Sequence, residues 1–360
     1  MATRGPGRKA ATLADVAAAT GLSPAAVSLA LRGKPGVSDE SRVKILEASR
    51  RLGYRPLSSI SRHHNGPVTV TLVIRALHGD SPDANRFYGP VLAGIEERCR
   101  RLHIRLMFAI MPVDEHNYPI EIPHAVTEHE TDGLILVGAH FGPHNAGLLR
   151  GDPPAVLVDA YAEEEGVYDS IDTDNVYGGR TAIRYLIGRG HRDIAILGTA
   201  PDAFPSIRER RLGYDQALAE AGLAPHYVDV PYYEHEQAAA AAVEYIRAHP
   251  EVTAVFCAND LVAVTFIQAA RPAGIDVPAQ VSVIGFDDID LASFISPALT
   301  TMAVDKPGMG RLAVSLLSHQ IEVEKRCVTA TLVRPELIVR ETVRTLDPAP
   351  RPLGTAAAMR

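Results

Sequence analysis

Residues 12–31 read TLADVAAATGLSPAAVSLAL and contain two short helical patterns separated by a glycine. Thr12 with Asp15 is typical of a capping box, and Ser23 followed by Pro24 is typical of a second helix start. A glycine between two such helices favours the tight turn of a helix-turn-helix. The stretch therefore predicts a DNA-binding head.

A third helix is predicted from Ser38, and each of the three helices has one apolar side. These sides would pack together as a small core. The residues predicted to face inward are Leu13, Val16, Ala17, Val27, Ala30, Leu31, Val43, Leu46 and Leu52.

Charge is distributed unevenly along the chain. Residues 1–64 hold eleven Lys/Arg against four Asp/Glu, a net charge of +7, whereas the whole chain carries −7 and the remainder therefore −14. An excess of positive charge is what phosphate neutralisation and counterion release require. This predicts a polyanionic partner for the head alone, which with the helix-turn-helix pattern is double-stranded DNA.

Composition limits the class of protein. Its 360 residues are 46% hydrophobic, which suggests two or three domains, and no apolar run approaches a membrane span. The basic N-terminus is not followed by an apolar core, so we expect no secretory signal, no membrane contact and a cytoplasmic location. Cys99, Cys257 and Cys327 lack a CxxC pair, so we expect no disulfide and no thiolate zinc site, and each is predicted to be buried.

From residue 68 onward, short apolar runs of strand length alternate with helix-length segments. This alternation indicates right-handed βαβ units and parallel sheets. Eight strands are many for one compact sheet, so we predict two doubly wound lobes divided near residues 161–174. The segment after Pro297, with a helix over 306–325 and a final strand near 331–339, is predicted to cross between the lobes again and to complete both lobes. The predicted strands are 68–74, 104–110, 133–137, 155–158, 193–197, 227–230, 254–257 and 281–285.

Longer motifs resemble the lactose-repressor (LacI/GalR) family of bacterial transcription regulators, from about Thr12 to Thr342. They are TLADVAAATGLSPAAVSLALRGKPGVSDESRVKILEASRRLGYRP in the head, DGLILVG from Asp132, DTDNVYGG from Asp172, GHRDIAILG from Gly190, RERRLGY from Arg208, FCANDLVA from Phe256 and VSVIGFDDIDLASFISPALTTM from Val281.

The resemblance implies an α/β protein with a three-helix head and a two-lobed domain like the periplasmic sugar-binding proteins, built on two doubly wound parallel sheets. The head is expected over 1–56, a hinge over 57–66, the effector-binding and dimerisation domain over 67–343, and a disordered tail over 344–360. Family members are usually homodimers that read a near-palindromic operator. No leucine heptad follows residue 342, so we expect a homodimer rather than a tetramer.

The resemblance also places head residues on DNA. The positions that would contact the phosphate backbone through hydroxyl or guanidinium groups are Thr12, Ser23, Ser28, Arg32 and Ser38. The positions that usually read bases in the major groove are Pro24, Ala25 and Leu29, whose side chains neither donate nor accept hydrogen bonds. Ala25 and Leu29 either contact thymine methyl groups or only avoid clashes.

The hinge departs from the family pattern, in which a leucine wedges into a central CG step of the minor groove. That position is His63 here, and Ile60, one turn earlier, is the alternative wedge. A third alternative is a hinge that binds less deeply, with selectivity from DNA deformability. Arg4, Arg8 and Lys9 form either a minor-groove arm or a solvated tail.

Polar residues at strand ends form the candidate effector site, because ligands of doubly wound lobes bind beyond the carboxyl ends of the strands. Carboxylates accept from adjacent hydroxyls, an arginine donates to oxygens, and aromatic faces cover the CH groups of a sugar. A sugar is the predicted effector, with a purine or other small metabolite as the alternative. The residues assigned to it by the resemblance are Asp159, Arg210, Asn259, Asp287, Phe87 and Tyr88, and His140 is a further candidate at a strand end.

His140 and His144 have a four-residue spacing that suits metal ligands. A Gly-Pro between them interrupts any helix, and no third ligand is near in sequence. We therefore expect no metal and no cofactor.

The predicted function is an allosteric transcription regulator, a repressor, whose operator affinity changes when an effector binds between the lobes. A transport-type sugar-binding protein is a second class, which the basic head disfavours. An enzyme is a third, which the absence of a P-loop, GxGxxG, nucleophile elbow or HExxH pattern disfavours. The sequence leaves open the identity of the effector, its action as inducer or corepressor, and the operator.

Overall fold

The computed structural model describes residues 13–31, 37–52, 68–77, 84–114, 116–127, 131–142, 153–163, 168–323 and 327–346. Contacts within the chain divide it into two compact units, Met1–Pro67 and Val68–Arg360. Several residues named in the sequence predictions lie outside the described residues; these are Arg4, Arg8, Lys9, Thr12, Arg32, Ile60, His63 and His144.

Three helices are described in the first unit: α1 (Leu13–Thr20), α2 (Pro24–Leu31) and α3 (Asp39–Leu52). The chain bends by 101° between α1 and α2, which is within the range of helix-turn-helix motifs. Gly21 makes the turn with φ +70°, a conformation that a side chain would strain. The fold class predicted for this unit is confirmed.

A small apolar core joins the three helices. Val16, Ala17, Val27 and Ala30 pack with Ile45 and Ala48 of α3. The prediction that Val43 faces inward is wrong, because its side chain is 55% exposed. Two residues separate it from Ile45, which is about 200° around a helix, so the two side chains point to opposite sides.

Two six-stranded sheets form two lobes in the second unit. Its described helices are α4 (Ala84–Arg101), α5 (His124–Thr127), α6 (Asn175–Gly188), α7 (Pro205–Ala221), α8 (His235–Ala248), α9 (Asp260–Ala270), α10 (Asp290–Phe294) and α11 (Lys306–Glu322). Its described strands are β1 (Thr69–Leu77), β2 (Arg105–Val113), β3 (Gly133–Val137), β4 (His140–Phe141), β5 (Ala155–Val158), β6 (Tyr161–Ala162), β7 (Asp169–Thr173), β8 (Ile194–Leu197), β9 (His226–Val228), β10 (Ala254–Cys257), β11 (Ser282–Asp287), β12 (Thr300–Ala303), β13 (Ala330–Val333) and β14 (Glu336–Ile338).

The two sheets have the same strand plan. The first lobe has the order β13-β7-β5-β3-β1-β2, and the second has β14-β12-β11-β10-β8-β9. All neighbouring strands are parallel except β14, which runs antiparallel to β12. In each sheet the order reverses, between β1 and β3 and between β8 and β10, and a crevice at the carboxyl ends is expected at such a point.

The chain crosses between the lobes three times. It crosses at Asp174, at residues 304–305, and at residues 334–335. The predicted recrossing after Pro297 is confirmed. The single final strand near 331–339 is corrected to two strands, β13 and β14, which pair in different sheets. Pro335 lies between them, and proline cannot donate to a ladder.

Strand β7 was not predicted from the sequence. It reads DSIDT, and its residues alternate between buried and half-buried, so it contains one strongly apolar residue and escapes a search for apolar runs. Asp169 is buried, and its Oδ1 accepts from the N–H of Thr329 at 2.8 Å. Pairing with β5 on one side and β13 on the other makes this polar segment a strand.

Cys99 and Cys257 are buried, as predicted, whereas Cys327 is exposed, so its predicted burial is wrong. Cys327 precedes β13 in a stretch whose next three residues are also exposed. The first residues of the predicted disordered tail are hydrogen-bonded: the N–H of Leu346 donates to the carbonyl of Arg189 at 2.7 Å. Residues 347–360 lie outside the described residues.

Among the described residues, the sole candidate for a membrane span by length and composition is the bent pair Leu13–Thr20 and Pro24–Ala30, and no single helix meets the criteria.

Candidate functional site

A cavity of about 190 Å³ opens between the two lobes, near the carboxyl ends of β3, β8 and β9. Of the seven predicted effector residues, all of them described, His140 is the one that lines it. The lining residues are His116, Asn117, Tyr118 and His140 from the first lobe, and Ala200, Asp202, Ala203, Phe204, Pro205, Arg208, Pro231, Tyr232 and Tyr233 from the second.

Aromatic rings form much of the cavity wall. Tyr118 stacks on His140 with ring centroids 4.5 Å apart and planes inclined by 23°. The Tyr118 hydroxyl donates to Oε1 of Glu163 at 3.0 Å, which fixes the ring. Phe204, from the second lobe, packs edge to face on His140 with ring centroids 6.3 Å apart. Burial lowers the pKa of His140, which favours a neutral imidazole. Such walls suit the apolar face of a small ring.

Tyr161 connects this wall with a group of buried polar residues. Its ring meets Phe204 edge to face at 5.2 Å. Its hydroxyl is buried and has no hydrogen-bond partner among the described residues. Burial, and then the carboxylate of Asp159, raise the pKa of Tyr161 well above its usual value. A buried hydroxyl of this kind is a candidate for a ligand contact.

Arg210 is the centre of the buried group and comes from α7. Its Nε donates to Oδ1 of Asn175 at 3.0 Å, and its Nη1 donates to the carbonyl of Ala258 at 2.6 Å. Its guanidinium carbon lies 3.8 Å from the ring centroid of Phe286. Its Nη2 lies 3.0 Å from Oδ1 of Asp287. This last contact is an ion pair, and Oδ1, which has two lone pairs, can still accept a further hydrogen bond.

Asp159 and Tyr88 belong to the first lobe and are joined by a hydrogen bond. The Tyr88 hydroxyl donates to Oδ2 of Asp159 at 2.8 Å. Burial raises the pKa of Asp159 to about 6, and the hydrogen bond from Tyr88 and the charge of Arg210 oppose that rise. Phe87 packs edge to face on Tyr88 at 5.1 Å. A Cβ at Gly138 would lie 2.7 Å from the Tyr88 hydroxyl, so a glycine is needed there.

Three acidic residues near this group have left-handed backbones. The φ angles are +45° at Asp159, +110° at Asp287 and +52° at Asp288. Such conformations are uncommon for residues with a side chain, and they concentrate at functional sites. The strained backbone therefore indicates a functional site here, and this indication comes from the φ angles and not from the residue types.

Residues that the sequence did not predict for the site hold the backbone of Asp287 and Asp288 in place. The N–H of Ile289 donates to Oδ2 of Asp260 at 2.8 Å. Lys306 donates to the carbonyls of Asp287 and Asp288. Sequence reasoning missed Lys306, because a lone lysine in a helix start carries no motif.

Asn259 has a structural role in the described structure. Its Oδ1 accepts from the N–H of Val262 at 2.9 Å and caps α9. Asn259 directly follows Ala258, whose carbonyl accepts a hydrogen bond from Arg210.

Sequence reasoning also missed Asn175, Asp172 and Glu209. The amide of Asn175 donates to Oε2 of Glu209 at 3.1 Å. Burial raises the pKa of Asp172 to about 7 and also raises the pKa of Glu209. Asp172 and Asn175 both lie in the DTDNVYGG motif, which was the available signal.

The head presents the predicted DNA residues at helix starts and along α2. Ser23 Oγ accepts from the N–H of Ala26 at 3.1 Å, and Ser38 Oγ accepts from the N–H of Ser41 at 3.3 Å, so both cap helices. Pro24 and Ala25 are exposed. Ser28 and Leu29 are half-buried.

Comparison with protein families gives two matches. Residues 12–57 match the model described as bacterial regulatory proteins, lacI family. Residues 183–343 match the model described as a periplasmic binding protein-like domain.

Curated relatives match over nearly their whole length. The HTH-type transcriptional repressor PurR of Photobacterium profundum is 30% identical over 344 residues, which cover 94% of this chain and 100% of the relative. The ribose operon repressor of Haemophilus influenzae is 29% identical, with 93% and 99% covered. The HTH-type transcriptional repressor CytR of Escherichia coli is 30% identical, with 94% and 97% covered.

Solved structures share the fold. A complex of the transcriptional regulator CelR with cellobiose has a TM-score of 0.63 and 27% identity, and the match covers 92% of this chain and 99% of that one. A second match is the lac repressor dimer bound to operator and the anti-inducer ONPF, with a TM-score of 0.63 and 22% identity. It covers 93% of this chain and 100% of that one, and at this identity it indicates the fold alone.

Proposed function

The chain belongs to the lacI family of bacterial regulatory proteins, and from this we propose that it is a homodimeric repressor whose operator affinity is controlled by a sugar bound between the two lobes. The observation that carries the proposal is a helix-turn-helix head on the same chain as a two-lobed unit with an aromatic cavity between the lobes. The head supplies DNA binding and the cavity supplies a place for a small effector.

The effector site proposed here combines the cavity with the buried polar group. Asp287 has an oxygen that can accept from a sugar hydroxyl, and Tyr161 has a buried hydroxyl without a partner. Tyr118 and His140 offer stacked ring faces for the CH groups of a sugar. Relatives whose names or complexes include ribose and cellobiose support this class of ligand.

Allosteric control is proposed to act through polar residues of both lobes. Arg210 of the second lobe is 4% exposed, and its charge acts on Asp159 of the first lobe. An effector that contacts both residues would bind one arrangement of the lobes more tightly than another. A ligand shifts such an equilibrium by its differential affinity for the two arrangements.

On the DNA side, Ser23, Ser28 and Ser38 are proposed to contact phosphates, together with Thr12 and Arg32. Apolar contacts from Leu29 and Ala25 to thymine methyl groups would supply direct readout.

A flat heterocyclic effector, such as a purine or nucleoside, is the second candidate. The observation that favours it is the near-parallel stack of Tyr118 on His140, since a flat aromatic ligand extends such a stack.

We propose no catalytic activity, because the curated relatives are repressors. Incubation with candidate sugars and analysis of the products tests this directly, and any turnover would contradict it.

The experiment that tests the proposed function is selection of DNA from a random library by the full chain, followed by fluorescence anisotropy with the selected site. We expect a near-palindromic site, an affinity that changes at least tenfold with one sugar of a panel including ribose and cellobiose, and no DNA binding by residues 68–360. The proposal is wrong if no site is enriched, or if residues 68–360 bind the site as well as the full chain does. An effect of nucleosides alone would favour the second candidate.

A further inference from the structure

Two histidines and a glutamate meet on the surface of the second lobe, outside the cavity. His226 is the first residue of β9, His249 ends α8, and Glu251 follows two residues later. One ligand atom from each residue lies within 4.8 Å of the others. Asp193, which precedes β8, places its Oδ1 3.5 Å from Nε2 of His226.

We propose that His226, His249, Glu251 and Asp193 form a binding site for a divalent transition-metal ion such as Zn²⁺. Two imidazoles and two carboxylates are a donor set that Zn²⁺ prefers. The two carboxylates would balance the charge of a divalent ion.

The distances suit tetrahedral coordination after small side-chain rotations. Metal bonds of about 2.0–2.2 Å place neighbouring ligand atoms about 3.3–3.5 Å apart. His249 Nδ1 and Glu251 Oε1 are 3.0 Å apart, and the His226–Asp193 pair is separated by 3.5 Å. The ligand atoms of His226, His249 and Glu251 lie within 4.8 Å of one another, and rotation of His249 and Glu251, whose side chains are 40% and 48% exposed, would bring them closer. The Asp193 side chain is 48% exposed and would turn toward the ion as the fourth ligand.

A neighbouring tyrosine orients both imidazoles. The Tyr245 hydroxyl lies 3.1 Å from Nδ1 of His226, which leaves Nε2 for an ion. The Tyr245 ring also packs on His249 with centroids 4.2 Å apart. Outer partners that fix the ring of a ligating histidine are a regular feature of metal sites.

The nearest arginines in sequence donate to backbone carbonyls. Arg192 donates to the carbonyls of Ile187 and His191, and Arg247 donates to the carbonyl of Ala273. Asp193 and Glu251 instead lie against the two histidines of the same cluster, His226 and His249.

The site lies at the opposite end of the sheet from the effector cavity. Asp193 and His226 are at the amino ends of β8 and β9, whereas cavity residues Ala200 and Pro231 follow their carboxyl ends. A bound ion would join β8, α8 and the short edge strand β9. We therefore expect it to stabilise the second lobe and not to take part in effector recognition.

The test uses the full chain without an added histidine tag, treated with a chelator and titrated with Zn²⁺ at pH 7.5 by calorimetry. We expect one equivalent to bind, and saturating Zn²⁺ to raise the Tm by several degrees. Co²⁺ should give the intense visible bands of tetrahedral coordination.

The variants His226→Gln and His249→Gln should each weaken binding at least 100-fold, and Tyr245→Phe about 10-fold through its effect on His226. The matched control is His103→Asn, an exposed histidine elsewhere, which should bind as the wild type does. Glu251→Gln keeps the test valid if a histidine variant fails to fold, since Glu251 is exposed. Absence of Zn²⁺ binding by the wild type, or binding that Glu251→Gln and the His226→Gln/His249→Gln double variant leave unchanged, would overturn the proposal. Neither outcome bears on DNA or sugar binding.

Discussion

Replacement of Asp287 by asparagine separates effector binding from folding and from DNA binding. Asp287 is 8% exposed, and its Oδ1 lies 3.0 Å from Nη2 of Arg210. Asparagine keeps the size of the side chain and an acceptor oxygen but removes the charge. A hydrogen bond to a charged group is worth about 1.5–3 kcal/mol and is roughly twice as strong as a neutral one, so the variant should lose about 0.75–1.5 kcal/mol of effector binding. Each 1.4 kcal/mol corresponds to about tenfold in affinity. Asp287→Asn should therefore weaken effector binding about 3-fold to 13-fold.

The free energy of unfolding should change by only about 1 kcal/mol in this variant. Burial raises the pKa of Asp287, although Arg210 and Lys306 oppose the rise, so its ionised form is costly in the fold. Asparagine removes that cost together with the ion pair, and such exchanges are often close to neutral. Arg210 keeps its bonds to Asn175 and Ala258. Arg210→Ala, in contrast, leaves Asp287 buried and unpaired and should cost about 3–5 kcal/mol.

The assay is calorimetry with the identified effector, with operator anisotropy measured in the absence of effector. Operator affinity should stay within twofold of the wild type, because the substitution lies in the second unit. The control is Glu220→Gln, which removes the same charge from an exposed pair with Arg184 and should leave both affinities unchanged. A folded Asp287→Asn variant that binds effector as tightly as the wild type would refute the assignment of Asp287 to the site.

Four further predictions concern the head, the buried carboxylates, the packing and the salt dependence. Leu29→Arg should create a guanine preference in each half-site worth about 1–3 kcal/mol, measured by repeating the DNA selection; an unchanged site would mean that residue 29 does not face the bases. Asp172→Asn should raise the Tm at pH 8 and lose this advantage by pH 4. Burial raises the pKa of Asp172 to about 7, so between about pH 4 and pH 7 the folded chain holds a proton that the unfolded chain has released. The free energy of unfolding of the wild type therefore falls by at most about 4 kcal/mol as the pH rises over that range, and the asparagine variant avoids this loss. A pH-independent effect would contradict this. Gly285→Ala should destabilise the second unit by about 1–3 kcal/mol in denaturant unfolding, because its Cβ would lie 2.2 Å from Oδ1 of Asp260; full stability would mean that the Asp260 side chain moves aside without cost. Operator affinity should fall by roughly 0.9 log unit per log unit of salt for each phosphate contacted, and a flat salt profile would exclude the basic head as the binding surface.

The sequence predicts most of the fold because its signals are local. Ser23 before Pro24 and a glycine turn define the head within a few residues, and buried parallel strands such as β3 and β10 consist of continuous apolar runs. Strand β7 lacks such a run, and its buried Asp169 depends on Thr329, which is 160 residues away. No local pattern contains that pairing.

The site is harder to predict from the sequence than the fold is, because its residues come together through long-range packing. Asp159, Arg210 and Asp287 follow from a family resemblance, and the structure places them in one buried group. The cavity wall is different, because Tyr118 and Phe204 lie on segments far apart in sequence that meet only when the lobes pack. Asn259 also has a local role as a helix cap, and its contact with the effector stays a prediction.

The most direct test of the account is a pair of linked titrations on the wild-type protein. Operator affinity is measured with and without saturating effector, and effector affinity with and without saturating operator. Allosteric coupling requires the two ratios to be equal, and a coupling of about 1–3 kcal/mol corresponds to a factor of about 5–150. We predict equal ratios of that size. An effector that binds between the lobes and leaves operator affinity unchanged would contradict the central claim.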